Sequence, residues 1–434
     1  MKYSAWLALA LALVACGAGC RNADEPAPAA PAVGPAAGPP SRLSLQESIG
    51  TDPVDAQLFE AQSRVKALPN KVEAWVQLGR LWTQKARETS DPGYHLNARD
   101  AADAALALDP KSALALGLLA QTELVNHRFK DAVGAADRAL AVEPRDLTAL
   151  SVKADALLEL GRFDESTELV QTMVDLKPSL ASYVRVGYLR WLRGDMPGAL
   201  EAMRLAIGSG VSGKDPEPHA WALSQAAVLF WHSGDLTGAE SGFDMALAAR
   251  PEYPPALVGK GRIALARGQG EVAASFFERA YRKSPLVETA WLLGDALTVA
   301  GDAASAEGAY ERVVTRGRVD DGRTLALFLA TKKRDLDEAV RLAERELTQR
   351  GDVYTEDAVG FALFRAGRLA EARPHLDRAV QHGTLDASLL FHRGALLLAQ
   401  GERAAGEASL KAALALNPEF NLDGAREARA LLGK

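Results

Sequence analysis

The chain has two cysteines in 434 residues, Cys16 and Cys20. Everything after Cys20 therefore lacks both a disulfide framework and a thiolate metal site. Aromatic residues make up only 6% of the chain, and no β-rich stretch occurs, which argues against an all-β fold. An excess of positive charge is missing too. Fifty Lys and Arg stand against 56 Asp and Glu, with the signs interspersed and a net charge of −6, so the basic footprint of a nucleic-acid binder is absent. No apolar run beyond the leader reaches membrane-spanning length.

Motifs that carry chemistry are equally scarce. His95, His127, His219, His232, His375, His382 and His392 are scattered with no H-x-x-x-H spacing, so they are read as solvated surface groups and no metal is expected. There is no G-x-S-x-G elbow and no nucleophile beside a plausible base, so neither catalysis nor a cofactor is expected. Gly208 to Asp215 (GSGVSGKD) fits the letters of a phosphate loop. However, a helical segment precedes it, Asp215 occupies the hydroxyl place, and Pro216 and Pro218 interrupt the following helix start. It reads as a loop.

What is present is a beat of about 34 residues, a length that marks stacked helical pairs. Pro110, Pro144 and Pro178 keep that interval, as do Pro251 and Pro285, Gly234 and Gly268, and Phe243 and Phe277. Ala-Leu recurs ahead of the prolines at 105–106, 139–140, 246–247 and 413–414. Trp75, Leu78-Gly79 and Trp82 supply the first half of a repeat, and Ala239, Phe243, Ala246 and Pro251 the second. Gly79, Gly187, Gly261, Gly294, Gly360 and Gly394 recur at one place, and Ala132, Ala199, Ala239, Ala273, Ala306, Ala339 and Ala372 at another. Small residues there let two helices approach closely, and proline between helices does no harm.

On these positions the chain resembles the tetratricopeptide repeat family. The resemblance implies an all-α, right-handed α-solenoid of about ten helix-turn-helix repeats over residues 72–420. An N-terminal capping helix is expected within 43–71 and a C-terminal capping helix in 421–434, covering the last apolar faces. The repeat at Asp320 to Leu347 departs from the pattern, with Leu327 in the glycine place and Ala343 in the aromatic place. An insertion at Arg87 to Tyr94 reads as a lengthened turn.

The start of the chain carries a second signal. Lys2 precedes an apolar run, Ser4 to Leu13, and then Leu13-Val14-Ala15-Cys16. This resembles a bacterial lipoprotein signal, with 1–15 removed and Cys16 lipidated. Cys20 is the competitor, and an ordinary secretory cleavage near Ala18 the alternative. Gly17 after the cysteine implies outer-membrane sorting, with the chain facing the periplasm of the cell envelope. Residues 16–42 are rich in Ala and Pro and form a tether. At about 3.1 Å per residue it reaches on the order of 60 Å from the membrane.

In the family the first helix of each repeat lines a concave groove. Those places hold Tyr188, Trp191, Trp221, Trp231, Trp291, Phe328, Tyr354, Phe361, Phe364 and Phe391, the expected partner-binding residues. Position 9 contains no Asn, so the family's carboxylate clamp is absent. The implied function is a membrane-tethered scaffold that binds peptide or protein segments during assembly of a secretion, pilus or polysaccharide-export complex. A passive spacer, or a small-molecule or glycan binder using the groove, is the alternative. The polar groups of the groove are expected to be scattered rather than gathered on one face.

Overall fold

The computed structural model describes residues 42–433 apart from 49, 51, 90 and 211–214. The leader, Cys16 and almost all of the tether lie outside the described residues. Among the described residues there are twenty-two α-helices, one 3-10 turn and no strand.

Twenty of the helices form ten antiparallel pairs. The first helices of the pairs are Val72–Thr89, Ala113–Val125, Leu147–Glu159, Leu180–Leu192, Glu217–His232, Pro254–Ala266, Val287–Ala300, Gly322–Lys332, Val353–Arg365 and Ala387–Ala399. Acidic N-caps start many of them: Asp146 accepts from the Ala149 N–H at 2.7 Å, and Asp352 from that of Tyr354 at 3.0 Å. The insertion in the first repeat is taken up by an extra turn of helix to Thr89 and a turn at Gly93.

Within a pair, the close approach depends on one volume exchange. A Cβ on Gly261 would lie 2.6 Å from the Phe277 ring, one on Gly294 2.3 Å from Tyr310, and one on Gly360 2.6 Å from Leu376. In each case the bulky partner is sixteen residues downstream on the second helix. In the aberrant repeat Ala343 is fully buried, and Leu327 is half-buried against the same core cluster.

A helix covers each end of the solenoid. The helix Pro53–Ala67 caps the first repeat, where buried Lys85 pairs with Asp55 at 2.9 Å and the Trp82 indole donates to the Ser44 carbonyl at 2.9 Å. Helix Leu422–Leu431 caps the last, held by Glu427 to Arg365 at 2.8 Å.

The solenoid closes on itself. The C-terminal tips of three first helices meet, on the next superhelical turn, the loops that open two other first helices and the C-terminal capping helix. Gly351 N–H donates to the Glu159 carbonyl at 3.0 Å. The Trp191 indole N–H donates to the Leu385 carbonyl at 3.1 Å, and the Thr384 hydroxyl to the Leu192 carbonyl at 2.9 Å. Asn417 donates to the Trp231 carbonyl at 2.8 Å. The Thr384 bond spans 192 residues, which at about 34 per repeat is roughly five and a half repeats. The contacts to Glu159 and Leu192 satisfy carbonyls that a helix C-terminus leaves open. The concave face is therefore folded inward along a seam and is not a long open groove.

Candidate binding site along the seam

Two cavities lie along this seam, and Tyr354, in the first turn of Val353–Arg365, lines both. The first encloses about 310 Å³ and is lined by Glu159, Tyr188, Arg323, Asp352, Tyr354 and His382 among others. Arg323 donates to Asp352 at 3.1 Å, and Arg350 pairs with Glu346 at 3.0 Å and Glu159 at 3.6 Å. Burial, and then the Asp352 carboxylate, push Glu159 up to about 7 against the pull of Arg350 and Arg323. The neighbouring Asp155 is pushed up to about 6 by burial, opposed by Arg185, which donates to it at 2.8 Å. The rim is aromatic: Phe163 stacks on His382 at 4.7 Å.

The second cavity encloses about 230 Å³. Trp231, Trp291, Tyr354 and Phe420 form its aromatic walls, and Glu288, Asp295, Asp357, Asp386, Glu419 and Asp423 its carboxylates. Asp295 accepts from Tyr310 and from Lys332, each at 2.7 Å, and Lys332 also reaches Asp423 at 2.7 Å. Asp357 pairs with His392 at 2.9 Å. Arg262 is the single Lys or Arg among the lining residues, and it is committed to Glu288 at 2.5 Å. His232 Nε2 and Trp291 Nε1 are buried and have no hydrogen-bond partner. Such orphans are uncommon in protein interiors.

The expected groove residues divide three ways. Tyr188 and Tyr354 line the first cavity, and Trp231, Trp291 and Tyr354 the second. Trp191 bridges the two: it is 3% exposed, hydrogen-bonded across the seam, with its ring 4.6 Å from His232 and 6.4 Å from Tyr354. The others are corrections. Phe328, Phe361 and Phe391 are 0–1% exposed and belong to the core. Phe361 packs edge-on to Phe391 at 6.2 Å and stacks on His392 at 3.6 Å, which locks neighbouring first helices together. Trp221 and Phe364 are half-buried against core clusters and line neither cavity. Trp231, at 6% exposure, is itself mostly core. The shared cause is closure of the solenoid, which turns the inward face of the first helices into interior.

Two further expectations fail. The histidines are not solvated: His392 is buried against Asp357, His375 pairs with Glu356 at 2.6 Å, and His95 is pushed down to about 4 by burial and then by Arg87. Nor are polar groups scattered, because the second cavity gathers six carboxylates from residues 288 to 423. Asp352 and Asp386 carried the only legible signal, as N-caps opening helices. Among the described residues no group of His, Cys, Asp and Glu could hold a metal ion.

A solenoid of paired helices with aromatic and acidic cavities on its inward face is a class of protein built to hold another polypeptide. The tetratricopeptide repeat family model matches residues 118–181, 224–288 and 258–321, so these segments are tetratricopeptide repeats. No curated protein sequence matches the chain. Among solved structures it is similar to PilW, a widely conserved type IV pilus biogenesis factor, at 20% identity over 48% of this chain and 92% of that one, with a TM-score of 0.39. PilF of Pseudomonas aeruginosa is 21% identical over 49% and 92%, with a TM-score of 0.36. Human IFIT1, in a dimer with PPP-AAAA, is 15% identical over 84% and 89%, with a TM-score of 0.48.

Proposed function

We propose that this chain is a non-enzymatic protein-binding scaffold of the bacterial cell envelope, lipid-anchored through Cys16. It faces the periplasm from the outer membrane and holds peptide or protein segments of a secretion, pilus or polysaccharide-export complex. The observation that carries the binding role is the pair of seam cavities, where aromatic walls meet buried polar atoms with no partner of their own. Aromatic anchors of this kind dominate protein interfaces. A passive spacer has no need of them.

The experiment has two arms. Crosslinking and pull-down from membranes compares the unaltered chain with Trp291→Ala, whose ring is half-buried on the cavity wall. Partner capture should fall while the fold persists; undiminished capture removes the cavity from the binding role. For the anchor, labelling with a fatty-acid analogue should mark the unaltered chain and Cys20→Ser but not Cys16→Ser. Label on Cys16→Ser would move the acylation elsewhere.

A further inference from the structure

The second cavity is far more acidic than the chain around it. Glu288, Asp295, Asp357, Asp386, Glu419 and Asp423 line it against Arg262 alone. The internal partners do not balance these charges. Lys332 is shared by Asp295 and Asp423, Arg262 is committed to Glu288, Arg429 pairs with Glu419 and His392 with Asp357, so three Lys and Arg side chains and one histidine face six carboxylates. Asp386 is served by the Ser388 N–H at 2.8 Å, the Tyr354 hydroxyl at 3.4 Å and His232 at 3.8 Å. Burial holds His232 below its ordinary value, so it is a neutral partner at pH 7.

Rings stand beside these carboxylates. Trp291 and Tyr354 line the cavity with Phe420, and a cation within about 6 Å of such a face is attracted by the ring quadrupole. The two orphan atoms add direction. With Nδ1 of His232 turned towards Asp386, its neutral ring leaves Nε2 as an acceptor; the Trp291 N–H is a donor only. A guest must therefore bring both an N–H donor and a carbonyl-type acceptor. At the mouth, the Glu419 and Asp423 side chains are 41% and 29% exposed, so the cavity reaches solvent beside the C-terminal helix.

We propose that this cavity receives a lysine or arginine side chain of a partner polypeptide. The cation sits between Asp386 and the aromatic walls, and the partner backbone accepts from the Trp291 indole. The inference rests on the scaffold reading and names the chemistry of its partner segment.

The test uses the purified full chain in detergent, with indole fluorescence as the readout. Acetylated, amidated pentapeptides carrying a central lysine, arginine or norleucine are titrated. The lysine and arginine peptides should bind at least tenfold more tightly than the norleucine peptide, and the difference should shrink with added salt. Asp386→Asn, which keeps the N-cap acceptor, should lose about tenfold for lysine and little for norleucine. Equal binding of lysine and norleucine, or no binding of either, overturns the proposal. That comparison needs only the unaltered chain, so it decides even where Asp386→Asn fails to fold. Partner capture from membranes is scored separately. Capture that the lysine peptide does not displace overturns the cation pocket and leaves the scaffold standing; no capture by the unaltered chain overturns the scaffold.

Discussion

Gly161 and Gly351 face each other across the seam, and a Cβ on Gly161 would lie 2.5 Å from the Gly351 carbonyl oxygen. Gly161 ends its helix at φ +76°, so it answers two demands at once: a left-handed backbone and a passing chain. Gly194 against Gly383 and Gly234 against Leu416 repeat the relationship, each at 2.8 Å. Gly367 has the same backbone, φ +81°, and no neighbour within 4 Å.

That contrast makes the seam measurable. Gly367→Ala should cost about 1–2 kcal/mol, the strain of a left-handed alanine. Gly161→Ala should cost more, because it adds overpacking of about 1–3 kcal/mol at the seam. Urea unfolding of both variants reads the difference. Equal losses would show that the seam contributes no packing constraint.

The inward aromatics should behave as core. Phe361→Ala should cost about 3–5 kcal/mol and lower the melting temperature clearly. Truncating Trp231 should do likewise. A variant of either that melts like the unaltered chain would place the residue back on an open surface.

Glu159 gives the seam a pH dependence. Its folded pKa is raised from the ordinary 4.5 to about 7, so the folded state holds the proton more tightly than the unfolded chain. Its stabilising contribution is fully present below about 4.5 and is lost as pH rises through about 7. Glu159→Gln should therefore flatten the fall in melting temperature between pH 5 and 8 and raise stability at pH 8. A slope as steep as that of the unaltered chain would assign the effect to other groups.

The repeat was legible because each helical pair is a local unit: sixteen residues separate Gly261 from Phe277, and glycine, alanine and proline punctuate most pairs. Even the aberrant repeat was visible in sequence as Leu327 and Ala343 out of place. The ten first helices followed from such local signals. The seam did not. Trp191 meets Leu385 across 194 residues, and the curvature that brings them together accumulates from small rotations at every interface between pairs. No residue encodes that sum alone. For this reason the inward aromatics could be assigned to the right helices while their exposure could not. The same closure gathers carboxylates from Glu288 to Asp423 into one cavity, a juxtaposition that exists only once the solenoid has come round to meet itself.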